Sequence, residues 1–331
     1  MTLPPLPSRT ADAWDMGPAF DKTGPIFSVS AHAGRVLVGG HQLHRLRAGD
    51  QSWQQRELPP KIGMAWNAAQ EPWAPWRQAV ASEEGVAIFL GKEGDGRIAH
   101  VRPKARDTYV TNLAWGRVGQ RSALFVLWDN GEVVRLFPEK GEQDALALPP
   151  MAALAGDGNG SVALLHWEEL TVYVTDGSER VPFRRIEFTK DWYDALPETI
   201  DSPFHLAVAG KAVALSVGWE GAFVTRDIET KPFEKCEPLS LAGALCFEGP
   251  SPDAALYGSV NTESLTSIVR VDASGHAVRL GDLIPPRGAA VPFDEIAWDA
   301  SRRRVYAVHR QAGLVVATAA DAKGGKLAAP N

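Results

Sequence analysis

The chain has 331 residues but only two cysteines, Cys236 and Cys246. A disulfide framework therefore does not hold it together. It also lacks any run of about 18 or more apolar residues, so no segment reads as a membrane span. Its first residues, Met1-Thr-Leu-Pro-Pro-Leu-Pro7, have no basic region followed by an apolar one. They do not read as a signal peptide. Positive charge is not in excess either, since the formal net charge is -6. Nucleic-acid binders usually carry a basic footprint, so nucleic acid is not an expected partner. These absences together predict a cytoplasmic protein with no membrane contact.

Catalytic motifs are missing as well. The sequence contains no His-Glu-x-x-His, no Gly-x-Ser-x-Gly and no P-loop. Gly156-Asp-Gly-Asn-Gly160 is rich in glycine, but a strand-like run follows it. No helix N-terminus waits there for a phosphate, so it reads as a hairpin turn. Asp157 and Asn159 offer too few oxygens for the six to eight that calcium takes. The histidines are scattered, and zinc needs three or four converging ligands. No metal or cofactor is expected.

What the sequence does contain is strands. Seven short apolar runs lie at 35–39, 85–90, 122–128, 161–166, 211–215, 253–257 and 304–308. Each is nearly continuously apolar and is expected to be covered on both faces. Turn residues follow them, most clearly Asp129-Asn-Gly131 before Val133-Val-Arg-Leu-Phe137. The one short helical candidate is near 77–82.

A repeat organises the strands. Leu58-Pro-Pro60 recurs as Leu148-Pro-Pro150 and as Ile284-Pro-Pro286, at spacings of 90 and 136 residues. Trp128-Asp129 and Trp219-Glu220 are 91 residues apart, with Trp167-Glu168 between them. These are multiples of a unit of about 45 residues, the period of a four-stranded propeller blade. The sequence thus predicts an all-β fold, a β-propeller of seven four-stranded blades, with six as the alternative. Blades are expected at 25–57, 62–106, 108–147, 151–188, 204–235, 242–281 and 292–319. The last lacks an outer strand, and a segment at 9–15 is expected to supply it and close the ring.

The chain therefore resembles the seven-bladed propeller superfamily over nearly its whole length, in architecture rather than in WD40 or kelch signatures. Its organisation is also similar to the propellers of bacterial systems that combine a MoxR-type AAA+ ATPase with a von Willebrand A protein. Arginine outnumbers lysine by 23 to 11, which suggests a GC-rich bacterial genome. That resemblance implies an AAA+ ATPase or a von Willebrand A protein as partner.

Two surfaces stand out. Trp128-Asp129, Trp167-Glu168 and Trp219-Glu220 fall at the corner between the second and third strands of blades 3, 4 and 5. The crossover at 189–201 adds Trp192 and Tyr193 to the same face. Aromatic anchors of this kind are enriched at binding hot spots, and the acids suit a basic docking segment. The competing expectation is that the corner tryptophans pack between blades. The second surface is a long loop at 68–84, with Trp73, Trp76 and Arg77, and Trp66 just before it. That loop either binds or plugs the channel mouth. The expected function is a non-enzymatic protein–protein interaction scaffold in a cytoplasmic bacterial multiprotein system. The alternative is a propeller enzyme or small-ligand binder, hydrolase- or lactonase-like, using the channel mouth with Glu295, His309 and Arg310.

Overall fold

Strands built from consecutive Val, Ala, Leu and Phe have to be covered on both faces. In the computed structural model this is achieved by stacking sheets around a ring. The structure describes residues 15–16, 26–46, 52–56, 58, 62–74, 77–82, 85–90, 98–101, 108–166, 168, 171–175, 183–184, 205–217, 221–239, 242–261, 266–283, 293–309 and 313–318.

A short strand, β1 (Asp15–Met16), precedes the first blade. Blade 1 is β2 (Ile26–His32), β3 (Arg35–Gly40), β4 (Leu43–Leu46) and β5 (Gln54–Arg56). Blade 2 is β6 (Asn67–Gln70), β7 (Gln78–Ser82), β8 (Gly85–Phe89) and β9 (Ile98–Val101). Blade 3 is β10 (Val110–Val118), β11 (Arg121–Trp128), β12 (Val133–Phe137) and β13 (Glu142–Ala145). Blade 4 is β14 (Ala153–Gly156), β15 (Val162–His166), β16 (Thr171–Thr175) and β17 (Phe183–Arg184). Blade 5 is β18 (His205–Ala209), β19 (Ala212–Val217), β20 (Gly221–Thr225) and β21 (Glu234–Cys236). Blade 6 is β22 (Ala242–Phe247), β23 (Leu256–Asn261), β24 (Thr266–Val271) and β25 (Ala277–Leu283). Blade 7 is β26 (Glu295–Asp299), β27 (Arg304–His309) and β28 (Gly313–Thr318), with β1 as its outer strand.

Every sheet is a four-stranded antiparallel meander. The inner strands contact one another in the order β2, β6, β10, β14, β18, β22, β26 and back to β2. The protein is a seven-bladed β-propeller, and the six-bladed alternative is excluded. Its only described helical turn is a 3-10 turn at Glu237–Leu239. Ring closure is antiparallel, with Asp15 opposite Val316 and Met16 opposite Val315. The closing strand expected at 9–15 is thus the N-terminal one, formed by Asp15–Met16, while 9–14 lie outside the described residues.

The core lies between blades rather than within them. Among the described residues it divides into seven apolar clusters, one at each blade junction. The second strand of each blade is buried almost throughout because clusters cover both its faces. Truncating one such leucine to alanine costs about 2–5 kcal/mol.

Blade 2 departs from the sequence reading. The helical candidate at 77–82 is strand β7, and the apolar run at 85–90 is the third strand, not the second. Alanine favours helix in isolation, but tertiary packing overrides propensity. Ala79 and Ala81 face blade 3, where small side chains leave room for Trp115 and Leu113. The loop expected at 68–84 therefore contracts to Glu71–Arg77 between β6 and β7.

Deleting residues 1–16 removes β1 and bares the edge of β28. A fall in Tm of several degrees is expected in a thermal melt. An unchanged Tm would mean that this pairing does not close the ring.

Candidate functional site

Each inner strand is the edge strand of its sheet, so one side of its backbone faces the central channel without a ladder partner. Buried backbone groups need hydrogen bonds. Side chains at one level of the ring supply them. Asn112 of β10 accepts from Leu113 N at 2.7 Å and donates to Leu154 O of blade 4 at 2.9 Å. Asn67 of β6 donates to Thr111 O of blade 3 at 3.0 Å. Glu295 of β26 accepts from Val29 N of blade 1 at 2.6 Å. Their places in the ladders correspond, since Asn67 faces Ala81, Asn112 faces Leu127 and Glu295 faces Val308, each one residue before the end of a second strand. His205 faces Ser216 and holds the same place in blade 5. Ser28 holds it in blade 1, and its buried Oγ has no hydrogen-bond partner. The result is a polar collar near the face that carries the blade crossovers.

That crossover face also carries an aromatic pair. Tyr109 is 43 % exposed and is the only exposed large hydrophobic side chain among the described residues. Half-buried Trp66 meets it edge to face, with ring centroids 5.6 Å apart. Asp129 fixes Tyr109, because its carboxylate accepts from Tyr109 N at 3.2 Å and its own N–H donates to Tyr109 O at 3.0 Å. Trp66 directly precedes β6, so it sits on this face and not beside Trp73 as the sequence suggested.

The corner residues separate by burial. Trp128 is 4 % exposed and packs between blades 2 and 3, so it is a core residue and not a docking anchor. Its neighbour Asp129 is exposed, and so is Glu168 in blade 4. Gly131 makes the corner possible, with φ of 81° and space for no side chain against Pro150 and Met151 N. Trp167, Trp192, Tyr193, Trp219 and Glu220 lie outside the described residues, as do Trp76 and Arg310.

On the opposite face the described candidates, Trp73 and Arg77, are engaged internally. Trp73 donates to Ser122 Oγ at 2.5 Å, and Ser122 donates to Glu71 at 2.6 Å. The Arg117 guanidinium lies 4.5 Å above the Trp73 ring. Arg77 binds Glu71 at 3.2 Å and Glu139 at 2.9 Å. Burial pushes the Glu71 carboxyl up against the pull of Ser122 and Arg77. This loop latches blade 2 to blade 3, so Trp73 and Arg77 do not form the free surface expected of them. Gly158 of the blade 4 turn reaches across to blades 1 and 2, where a Cβ on it would lie 3.4 Å from His32 Nδ1 and 4.0 Å from Pro72 Cγ. Asp157 holds that turn through Asn159, Gly160 and Ser161 N and through Gly210 N of blade 5. The turn read from the sequence as a hairpin does join β14 to β15, and it also touches the ends of blades 1 and 2.

Titratable groups gather at the other end. Enclosure pushes the Glu295 carboxyl up to about 8, against the Val29 N–H that favours its charge, with Asp294 adding to the rise. Enclosure drives the His205 imidazole down to about 4, with Asp294 opposing. Burial lifts the nearby Cys246 thiol to about 12, which keeps it protonated. His309, named with Glu295 for the enzyme alternative, is fully buried with its ring edge-on to Phe293 at 5.5 Å. It does not reach the channel. His205, Asn67, Asn112 and Tyr109 were not singled out from sequence. The signal was a polar residue at the start of several inner strands, legible only once the ladders were aligned. Among the described residues no group of three or more His, Cys, Asp or Glu is arranged to hold a metal. No described helix is long and apolar enough to cross a membrane.

No protein-family model and no curated protein matches the sequence. Solved structures match it in fold. The WD40 repeats of RRP9 superpose with a TM-score of 0.64 at 10% identity, covering 95% of this chain and 99% of that one. Virginiamycin B lyase from Staphylococcus aureus gives 0.65 at 10% identity, covering 91% and 97%. A structure titled YCF48 bound to D1 peptide gives 0.59 at 12% identity, covering 97% and 100%. At these identities the likeness establishes the propeller and nothing finer, and the fold carries both a lyase and a peptide complex.

The collar predicts a pH signature. Between pH 4.5 and 8 the folded chain keeps a proton on Glu295 that the unfolded chain releases, so this group's stabilising contribution is lost as pH rises. Between pH 6.5 and 4 the unfolded chain takes a proton on His205 that the folded chain refuses, so stability is lost as pH falls. Glu295→Gln is therefore expected to gain Tm over wild type as pH rises from 5 to 8, and His205→Asn to gain as pH falls from 7 to 4.5. Differences in Tm that do not change with pH would show that the two groups are not enclosed.

Proposed function

We propose that this chain is a non-enzymatic scaffold that docks a basic protein segment on its crossover face. The observation that carries this reading is exposed Tyr109 meeting half-buried Trp66 edge to face, with Tyr109 held in place by Asp129. A rigid aromatic pair buries area at small entropic cost, and such residues dominate interface energetics. Aromatic faces beside carboxylates favour cations. Exposed Asp129 and Glu168 and the net charge of -6 add to that preference. Trp192 and Tyr193, on the crossover between blades 4 and 5, belong to the same proposed surface, with Trp167, Trp219 and Glu220. A cytoplasmic bacterial system, with an AAA+ ATPase or von Willebrand A protein as partner, is the finer form of the proposal. It rests on the arginine-rich composition and the organisational resemblance, and the genes beside this one test it.

The docking test uses capture of the genetically neighbouring protein by the purified chain. Trp66→Ala with Tyr109→Ala is expected to keep the wild-type Tm and to weaken capture by about 2 kcal/mol or more. Asp129→Lys with Glu168→Lys is expected to weaken capture less, and mainly at low salt. Lys211→Ala, in the blade 5 turn on the opposite face, is expected to change nothing. Capture unaffected by the aromatic pair would overturn the proposed surface.

A further inference from the structure

We infer that the ring is built as two arcs, blades 1–4 and blades 5–7, fastened to each other at both seams by one kind of clasp, an aspartate that holds the turn glycine of the next blade. The inference stands apart from the docking reading.

The seams are set by how the chain passes from blade to blade. Crossovers occupy 57–66, 102–109, 146–152, 237–241 and 284–294, but the one between blades 4 and 5 is far longer, at 185–204. No crossover leads from β28 to blade 1, and the link there is the pairing of β1 with β28. A short connection keeps two elements at high effective concentration, and a long one does so less. These two junctions carry matching contacts. Asp157 lies in the turn between β14 and β15. Its Oδ1 accepts from Asn159 N, Gly160 N and Ser161 N, and its Oδ2 accepts from Gly210 N of blade 5 at 3.3 Å. Asp299 ends β26 of blade 7. Its Oδ1 accepts from Ser301 N and from Gly34 N of blade 1 at 3.1 Å, and its Oδ2 accepts from Arg302 at 2.8 Å. Arg302 in turn donates to Gly34 O.

Gly34 and Gly210 hold the same kind of place, the turn between inner and second strands, with φ of 74° and 58°. At both seams one aspartate thus organises its own turn and reaches one blade further. Asp272 of blade 6 organises its turn through Ser274 N and His276 N and bonds to no other described blade. The first arc also has a contact between its ends. A Cβ on Gly158 of blade 4 would lie 3.4 Å from His32 Nδ1 of blade 1. The arcs therefore part along the two lines where the chain restrains them least, and parting requires both clasps to release. Hydrogen bonds to charged groups are stronger than neutral ones, so a carboxylate suits that task.

The test uses the full chain with a site-specific protease sequence inserted after Pro197, folded first and then cut. The cut protein is expected to run as one particle in gel filtration. It is then mixed with isotopically labelled cut protein, and native mass spectrometry follows the exchange of halves between particles. Asp157→Asn keeps an oxygen for its own turn but turns an amide donor toward Gly210 N. Asp299→Asn likewise faces Arg302 with a donor and frees the arm that holds Gly34 O. Each is expected to speed the exchange of halves by about tenfold or more. Asp272→Asn, which disturbs a turn but no seam, is expected to leave that rate unchanged. Hydrogen exchange on the uncut wild-type chain is the second measurement. The amides of Gly34 and Gly210 are expected to be protected, while that of Gly119, an exposed turn glycine of blade 3 with φ of 60°, is not. Halves that separate on cutting overturn the proposal. So does an exchange of halves that neither clasp variant accelerates, or that Asp272→Asn accelerates as much. Amides of Gly34 and Gly210 that exchange as fast as that of Gly119 overturn it too.

Discussion

A sheet that ends on a strand leaves a row of backbone donors and acceptors unpaired, and a ring of seven sheets leaves seven such rows facing one channel. The rest of the molecule answers this constraint. At the collar, Asn67, Asn112 and Glu295 turn toward the next blade and satisfy its backbone. Trp115 and Gln70 turn the other way and satisfy the preceding blade, Trp115 by donating to Ala69 O and Gln70 by donating to Ser30 O. Between blades 7 and 1, Asp299 accepts from Gly34 N while Arg302 donates to Gly34 O. These bonds run between blades, so they fix the rotation of one blade against the next while the apolar clusters supply the burial.

Closure and packing depend on each other. No blade has a core of its own, because each apolar cluster draws on two neighbours. A blade is therefore stable only in the complete ring, which is the logic of repeat proteins carried into a circle. β1 matters out of proportion to its two residues, since it ties the first part of the chain to the last blade.

The same architecture explains where function fits. The face opposite the crossovers is used for structure, through the Gly158 turn and the latch formed by Glu71, Trp73 and Ser122. The crossover face carries the Trp66–Tyr109 pair and the half-buried polar groups. A structural reason for the asymmetry is the direction of the inner strands, which all run from the crossover face inward and so present equivalent positions at one level.

The repeat of apolar runs, the proline-marked crossovers and the need for a closing N-terminal strand were legible from residue order alone, because alternation, turn chemistry and edge pairing are local rules. So were most inner strands and the acids at Glu295 and Asp129. Blade 2 was misread because alanines that favour helix locally serve there as spacers for Trp115, a requirement imposed from a different blade. Trp128 was read as a candidate anchor against the competing expectation of core packing, and its cluster with blade 2 decided for the core. The ring brought Glu295 to Val29 N, 266 residues apart in the chain. It also placed Gly158 against His32. No local pattern encodes those meetings, since they follow from the angle at which seven sheets close.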